Sequence, residues 1–413
     1  MKKLLILIPF IILSCLSDLP TVPDFKFVLD SISVRSVPLE DSIKLIMNGI
    51  YQVQDGKDLI GDEIAGKWIR DRWCLYSIHD VVYSESKCSS VKDSTLEFVG
   101  YIRIVRSGSG TRIDLKILPS DGGSELLAGN TPSSIILKGT TSSGSEIKFS
   151  RIRNLYQESD IAKKFQIIGH RGGGRNAERL GISENSIEMI KQAEILGATG
   201  VEIDVKRTRD GQIILFHDDT FSPRTVKGTY LLGKVENFDL AQIQTFGRLY
   251  YGEEIPTLKD ALSKIIEETT LSLVWIDVKD PDIVDKVIVI QKAAIELASE
   301  KNREIDILFG IPEDEIFNAY NSSTVENTPI LIEYDRVLAL STESCKAWAP
   351  RWTNGVPSPG EVESFHSNNK MVFTWTLDVK EFIEDFIQNS QIDGILSNYP
   401  SQVAGIYYSQ VNE

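Results

Sequence analysis

Two patterns of apolar and polar residues follow one another along the chain. Up to about residue 150, apolar and polar residues alternate singly, as in Arg112 to Ile117, and this period of two predicts half-buried β-strands. A Ser-Gly-Ser-Gly turn at 107–110 separates two such runs, so a hairpin is predicted at 97–118. Further strands are predicted at 67–78, 80–86, 134–139 and 146–151. We therefore expect a small antiparallel β-rich domain, a sandwich or a barrel, over residues 39–155.

From Phe165 onward, short apolar runs alternate with helical segments, and this alternation predicts a largely parallel sheet or barrel. Strands are predicted at 166–169, 200–205, 212–216, 271–278, 306–310, 329–333, 347–351, 371–376 and 394–396. Helices are predicted at 184–196, 257–268, 283–299, 313–320, 360–368 and 380–389. Ser183 or Glu184 is predicted to cap the first of these helices. The series fits an α/β fold, a TIM-type (β/α)8 barrel with one extra strand, over residues 160–413.

One connection in this second region is too short for a parallel crossover. Only residues 206–211 separate two predicted strands, so these strands are expected to pair as an antiparallel hairpin. The symmetry of that hairpin places Asp204 roughly opposite His217. Glu202 lies two residues before Asp204 and therefore shares its strand face. The hairpin therefore predicts a pair of carboxylates that faces a histidine.

The acidic residues on these strands predict a metal site. Glu202 and Asp204 offer hard oxygen ligands of the kind that Ca²⁺ and Mg²⁺ prefer. Burying unpaired carboxylates in an apolar strand is costly, so a cation or a basic partner is expected. Asp277 and Lys279 again share one face of an apolar strand. The carboxyl ends of strands are where barrel active sites are built.

Two of the four histidines, His170 and His217, each end an apolar run beside this acidic set. Histidine has a reference pKa of about 6.5, so such a pair can act as general acid and general base. Arg171 follows His170 and, with Lys279, can neutralise a phosphate diester. The glycine-rich turn at 172–174 offers backbone N–H groups to an anion.

Composition narrows the possible partners. The chain has 413 residues, with 42% hydrophobic and 25% charged residues, which is ordinary for a soluble globular protein of more than one domain. The formal net charge is −15, and no Lys/Arg-rich run offsets it locally. Nucleic acid is therefore not expected as a partner.

The N-terminus predicts export. Met1-Lys2-Lys3 and a short apolar run form an export signal over residues 1–14, too short to span a bilayer. The run closes on a lipobox-like Ile-Leu-Ser-Cys sequence, which predicts lipidation of Cys15 and a tether at 15–38. The alternative is an ordinary secretory signal with an incidental cysteine. We expect an exported lipoprotein of the cell envelope, in the periplasm or at the outer membrane, anchored to the membrane through Cys15.

Two features of the β-rich region allow alternative interpretations. Cys74 and Cys88 either form a disulfide, as an exported protein permits, or are two small buried apolar residues. The strand aromatics are expected to be core residues rather than a platform for glycan or lipid. They are Trp68, Trp73, Tyr76 and Tyr83.

Taken as an ordered set, the motifs of the second region resemble the glycerophosphodiester phosphodiesterase family over residues 165–404. The matching pieces are His170-Arg171-Gly172, Glu184-Asn185, Glu202-x-Asp204, Thr208-x-Asp210-Gly211, His217-Asp218, Ile255-Pro256-Thr257-Leu258, Ile276-Asp277-Val278-Lys279, Trp375-Thr376 and Asp393-Gly394-Ile395. Each piece alone is weak, but their order along the chain is specific. Asp277 replaces the usual glutamate, and Asn398 stands where aspartate is common.

The resemblance implies metal-dependent hydrolysis of small glycerophosphodiesters to glycerol 3-phosphate and an alcohol. It implies His170 and His217 as the acid/base pair. It implies a Ca²⁺ or Mg²⁺ ion held by Glu202, Asp204 and Asp277 with help from Glu184. Arg171 and Lys279 would hold the phosphate, and Trp375 would pack against the glycerol or the leaving group.

Two alternatives remain open at this point. A related diesterase would act on lysophospholipid, glycerophosphoinositol or a wall polymer. A non-catalytic surface-binding lipoprotein would bind glycan or lipid with the β-rich domain. The head group, the metal and the oligomeric state are not determined by these residues.

Overall fold

The computed structural model describes residues 36–156, 165–228 and 230–411. The predicted signal at 1–14, Cys15 and most of the tether at 15–38 lie outside these residues. Within the described ranges, no helix is long and apolar enough to cross a membrane. Two closed barrels follow one another along the chain.

The first barrel has eight antiparallel strands, and β8 closes it by pairing with β1. The strands are β1 (Gly49–Asp55), β2 (Glu63–Ile69), β3 (Arg72–Ser77), β4 (Val82–Lys92), β5 (Thr95–Ile104), β6 (Ser109–Ile117), β7 (Ile136–Thr141) and β8 (Glu146–Arg153), with helices α1 (Asp41–Met47), α2 (Lys57–Ile60) and α3 (Gly123–Leu127). The hairpin predicted at 97–118 is confirmed as β5 and β6. The single strand predicted at 67–78 is wrong, because Arg70 adopts φ 56°, which ends β2 and turns the chain into β3.

The strand aromatics of the first barrel are core residues, as predicted. Trp73 is fully buried and packs against the rings of Tyr51 and Phe149. Cys74 and Cys88 are both free and buried. They belong to different apolar clusters, Cys88 to the barrel interior and Cys74 to the seam between the barrels. The second interpretation of these cysteines, as small buried apolar residues, therefore holds in this structure.

The second barrel confirms the predicted TIM-type fold. Eight parallel strands pair in the order β9, β10, β16, β17, β18, β19, β20, β21 and back to β9, and β11 is the extra strand, antiparallel to β10. The bounds are β9 (Gln166–Gly169), β10 (Gly200–Arg207), β11 (Ile213–Leu215), β16 (Leu273–Asp277), β17 (Asp306–Ile311), β18 (Ile330–Ile332), β19 (Cys345–Trp348), β20 (Met371–Thr374) and β21 (Gly394–Ser397). Apolar side chains such as Leu273, Trp275 and Phe373 fill the barrel interior.

The surrounding helices are α4 (Ile187–Ile195), α5 (Leu240–Phe246), α6 (Leu258–Glu268), α7 (Val284–Glu300), α8 (Asp314–Asn321), α9 (Arg336–Ser341), α10 (Pro359–His366), α11 (Lys380–Asn389) and α12 (Pro400–Tyr408). Helices α5, α9 and α12 were not predicted. The cap predicted at Ser183 or Glu184 is wrong, since the Ser186 side chain accepts the N–H of Met189 and caps α4. The hydroxyl of Ser183 instead donates to Glu253.

A small lobe follows β11 at the mouth of the second barrel. It contains α5 and four short strands, β12 (Thr220–Phe221), β13 (Val226–Lys227), β14 (Gly233–Lys234) and β15 (Arg248–Leu249). Its own apolar cluster, which includes Phe216, Phe221 and Ile243, holds it together. The lobe thereby fixes the chain that follows His217.

The two barrels share one apolar seam. Side chains of the first barrel, including Tyr76 and Tyr83, belong to the same cluster as Val403 and Tyr407 of α12. Every residue of α12 is buried. A continuous apolar interface of this kind favours a fixed orientation of the barrels over free movement.

The close packing at the seam predicts that replacing a glycine of α12 by alanine destabilises the protein. A Cβ on Gly405 would lie 2.3 Å from the carbonyl oxygen of Ser77, whereas a Cβ on Gly360 in α10 meets nothing within 4 Å. Both Gly→Ala changes gain helix propensity of about 1 kcal/mol. We expect Gly405→Ala to lower the melting temperature, because overpacking costs about 1–3 kcal/mol or more. Gly360→Ala should raise it, and equal shifts in the two variants would contradict the close approach.

Candidate active site

Three carboxylates meet at the carboxyl ends of β10 and β16. The strands are parallel and in register, with Glu202 opposite Trp275 and Asp204 opposite Asp277. One oxygen from each of Glu202, Asp204 and Asp277 lies within 4.8 Å of the others. The structure therefore brings together the three residues that were predicted as principal metal ligands.

The hydrogen bonds of this carboxylate group leave oxygen atoms unpaired. Glu202 accepts the N–H of Arg171 at 2.8 Å, but its Oε1 and the Oδ1 of Asp277 are buried without a hydrogen-bond partner. Burial, together with the negative charges of Asp204 and Asp277, holds the pKa of Glu202 well above its ordinary value. Buried, mutually repelling oxygens with free lone pairs are what a hard divalent cation satisfies, so these residues fit such an ion.

Lys279 supplies a positive charge to the same group. Its Nζ lies 3.0 Å from Asp204 and 2.5 Å from Asp277. These carboxylates outweigh the effect of burial and raise the pKa of Lys279 above its ordinary value. Burial acts to raise the pKa of Asp204, but the Lys279 ammonium, the two site histidines and the Asn185 hydrogen bond together outweigh burial and lower that pKa. Lys279, predicted as a phosphate ligand, therefore also holds two of the carboxylates in place.

His170 follows β9 and is oriented through its Nδ1 atom. That atom lies 2.7 Å from the Oδ1 of Asn398, whose Nδ2 donates to Asp378 at 2.6 Å. Because the amide nitrogen of Asn398 faces a carboxylate, its oxygen faces the ring, and the hydrogen-bond network assigns the proton to Nδ1 of His170. The Nε2 atom lies 3.8 Å from Glu202. Burial lowers the pKa of His170 to about 4, which favours the neutral ring.

His217 has a different partner. Its Nδ1 lies 2.8 Å from the Oδ1 of Asp218, and Arg224 donates to the same carboxylate at 2.6 Å. Asp218 therefore orients the ring of His217 through its Nδ1 atom. The hairpin forms as predicted, but its register differs by one residue: the N–H of Phe216 donates to the Asp204 carbonyl at 3.0 Å, and His217 is the next residue along the chain.

Arg171 enters the site in a left-handed backbone conformation, φ 51°. Its Nη1 donates to Glu184 at 2.9 Å, and its Nε is buried without a hydrogen-bond partner, 4.0 Å from Asp204. An unpaired guanidinium N–H in this position suits an anion. The N–H groups of Arg171 and Gly173 are used by Glu202 and His170, so the glycine turn offers the substrate fewer donors than its sequence indicates.

Glu184 lies outside the carboxylate group. It accepts hydrogen bonds from Arg171, from the N–H of Asn176 and from Arg224 at 3.3 Å. Its surroundings are those of an anchor for two arginines rather than of a metal ligand. Its assignment as a fourth ligand stays a prediction. Asn185, the next residue, exchanges hydrogen bonds with Asp204.

The opposite side of the mouth carries Trp375 and two residues that the sequence analysis did not single out. The indole N–H of Trp375 donates to the Ala349 carbonyl at 2.8 Å, and the Arg351 guanidinium lies 4.5 Å from its ring centroid. Glu333 directly follows β18 and is 7% exposed. Both missed residues end a predicted strand, which is the same signal that identified Asp277.

Comparisons with known proteins show which family the chain belongs to. Residues 170–402 match the model of the Glycerophosphoryl diester phosphodiesterase family. A glycerophosphodiester phosphodiesterase of Caldanaerobacter subterraneus subsp. tengcongensis is 30% identical over 259 residues, 59% of this chain and 98% of that protein. Glycerophosphodiester phosphodiesterase 1 of Homo sapiens is 35% identical over 124 residues, 28% of this chain and 34% of that protein. A solved Oleispira antarctica phosphodiesterase in complex with sn-glycerol-3-phosphate has 19% identity and a TM-score of 0.46, covering 58% of this chain and 94% of that one.

The family match covers more than half of the chain and includes the carboxylates, both site histidines, Arg171, Lys279 and Trp375. The first barrel precedes the matched residues. The chain therefore belongs to the glycerophosphoryl diester phosphodiesterase family and is a phosphoric diester hydrolase.

Proposed function

We propose that the protein hydrolyses small glycerophosphodiesters to glycerol 3-phosphate and an alcohol, and that it needs Ca²⁺ or Mg²⁺ to do so. The observation that carries this proposal is the buried carboxylate group of Glu202, Asp204 and Asp277, with unpaired oxygen atoms beside a histidine. These three residues would hold the ion. A bound divalent cation would supply electrophilic stabilisation of the phosphoryl oxygens.

The two histidines have different surroundings and therefore different proposed roles. His170 has its proton on Nδ1, held by Asn398, so its Nε2 lone pair is available to take a proton from the attacking water or hydroxyl group. His217 is held at its Nδ1 by Asp218, which leaves its Nε2 to exchange a proton with the substrate. It can therefore give a proton to the departing alcohol.

Two cationic side chains are proposed to bind the phosphate. Arg171 offers its unpaired Nε–H, and its Nη1 is oriented by Glu184. Lys279 has two carboxylate neighbours and carries a full positive charge at the edge of the group. Trp375 is proposed to pack against the organic part of the substrate.

A turnover assay against a panel of diesters tests this function. The panel contains glycerophosphocholine, glycerophosphoethanolamine, glycerophosphoinositol and lysophosphatidylcholine, each with added Ca²⁺ or Mg²⁺ and with EDTA. We expect glycerol 3-phosphate as a product of the first three substrates. Hydrolysis of lysophosphatidylcholine alone would replace the substrate class, and no hydrolysis of any diester would contradict the proposal.

The proposed location is the cell envelope, with a lipid anchor at Cys15. The support is the lipobox-like sequence, which lies outside the described residues. Cys15→Ala should move the protein from the membrane fraction to the soluble fraction, because a lipid anchor contributes about 0.8 kcal/mol per buried CH₂ group. Cys345→Ala is the matched control and should leave the distribution unchanged. Membrane association of the Cys15→Ala variant would contradict the anchor.

A further inference from the structure

Glu333 and Arg351 lie at the mouth of the second barrel, and the proposed chemistry uses neither. Glu333 directly follows β18, and its N–H donates to the Ile311 carbonyl on β17. Arg351 follows β19, the neighbouring strand. Both side chains therefore start from the carboxyl ends of barrel strands, the face that carries the carboxylates and histidines.

Glu333 is a buried acid without a visible reason for its burial. It is 7% exposed, and its Oε1 has no hydrogen-bond partner. It is not a member of the carboxylate group whose ligand atoms lie within 4.8 Å of one another, so that group does not explain it. A buried carboxyl oxygen without a partner costs about 1–3 kcal/mol, which a ligand that donates a hydrogen bond would recover.

Glu333 lies within electrostatic range of the proposed phosphate site. Asp277, Lys279 and Arg351 all act on its carboxyl group. The guanidinium of Arg351 lies 4.5 Å from the ring centroid of Trp375. This side of the mouth is thus lined by a carboxyl group (Glu333), a guanidinium group (Arg351) and an aromatic ring (Trp375).

The strand order sets this side opposite the catalytic one. His170 follows β9 and Glu202 lies on β10, whereas Glu333, Arg351 and Trp375 follow β18, β19 and β20. A diester with its phosphate at the carboxylates and histidines would direct one organic substituent across the mouth toward β18–β20, where Glu333 and Arg351 lie.

We propose that Glu333 and Arg351 bind vicinal hydroxyl groups of the substrate, with Glu333 accepting and Arg351 donating hydrogen bonds. This inference rests on the proposed function. The hydroxyl groups have two possible sources, the glycerol moiety common to all glycerophosphodiesters or a polyol alcohol that departs. A quaternary ammonium group is the poorer fit, because Arg351 is cationic and already lies over the Trp375 ring.

The test compares Glu333→Leu and Arg351→Met with Glu313→Leu, a matched control in which an exposed acid near the end of β17 is replaced. Each variant is assayed at saturating Ca²⁺ with glycerophosphoglycerol, glycerophosphocholine and bis(p-nitrophenyl) phosphate, which has no aliphatic hydroxyl group. We expect each of the first two variants to raise KM for hydroxyl-bearing substrates about 10-fold with little change in kcat, since uniform binding is lost. The rise for bis(p-nitrophenyl) phosphate should be much smaller. Glu313→Leu should resemble the wild type.

The outcomes identify which part of the substrate supplies the hydroxyl groups, and they distinguish failure of the subsite from failure of the proposed function. A rise with both glycerophosphodiesters identifies the common glycerol, and a rise with glycerophosphoglycerol alone identifies the polyol alcohol. Equal rises for all three substrates, a rise with glycerophosphocholine alone, or no rise would overturn the subsite. Glu333→Leu should keep or raise the melting temperature, because it removes an unpaired buried acid; a fall would assign Glu333 a structural role instead. If the wild-type protein hydrolyses neither glycerophosphodiester, the proposed function itself is wrong.

Discussion

Replacing His170 by alanine is expected to lower kcat for glycerophosphodiester hydrolysis by about 10²–10⁴-fold, the usual contribution of a positioned general base. The ring is held by Asn398 at Nδ1, and its Nε2 lies on the side of Glu202. Removing it leaves the nucleophile without a proton acceptor. The measurement is kcat at saturating substrate and Ca²⁺, with the melting temperature recorded to show that the variant is folded.

The same experiment distinguishes the roles of the two histidines. His217→Ala should lose about 10²-fold or more with an alkyl leaving group but much less with p-nitrophenolate, which departs without protonation. His170→Ala should lose activity with both leaving groups. His79→Ala, an exposed residue of the first barrel, serves as control and should keep wild-type kcat. Full activity in both site variants, or a reversed dependence on the leaving group, would refute the assigned roles.

The second large effect concerns the metal. EDTA is expected to abolish activity, and Ca²⁺ or Mg²⁺ is expected to restore it. Binding also has a readout that does not need activity: an ion at 100 times its Kd stabilises the folded state by about 2.7 kcal/mol. The physical reason is that Glu202, Asp204 and Asp277 are buried together, and the nearby cations, Lys279 beside two of them and Arg171 4.0 Å from Asp204, leave oxygen atoms unpaired. The upward shift of the melting temperature on adding the ion is the quantity to measure.

Glu202→Gln should reduce this thermal shift strongly, because it removes one anionic ligand while keeping the side-chain volume. Asp306→Asn is the matched control, since Asp306 lies at the amino end of β17, the end of the barrel away from the site. It should respond to the ion like the wild type. Activity that survives EDTA, together with no thermal shift from either cation, would show that Lys279 and Arg171 balance the carboxylates without a metal ion.

Local sequence signals predicted most of the second barrel. Each parallel strand is a short apolar run bounded by polar or turn-forming residues, and the short connection at 206–211 allowed only a hairpin. The strand prediction was wrong where the backbone adopts an uncommon conformation. Arg70 turns the chain at φ 56° without a glycine to mark the turn, so β2 and β3 were read as one strand.

Helix α12 was missed for a different reason. It begins with Pro400, contains Gly405, and is buried on every side between the two barrels. A helix that is buried on every side has no amphipathic period to detect. Its existence depends on the first barrel, which covers the surface that α12 would otherwise expose.

The sequence by itself determined the family and the candidate residues of the site, because two histidines, three carboxylates, Arg171, Lys279 and Trp375 follow one another in a recognisable order. Only the tertiary structure decided which of them meet. Closure of the barrel brings β18 and β19 to the same mouth as β10 and β16, and so adds Glu333 and Arg351. It also directs Glu184 to two arginines. Strand periodicity is local and can be read along the chain, whereas contacts between distant strands depend on the register and the order in which the barrel closes.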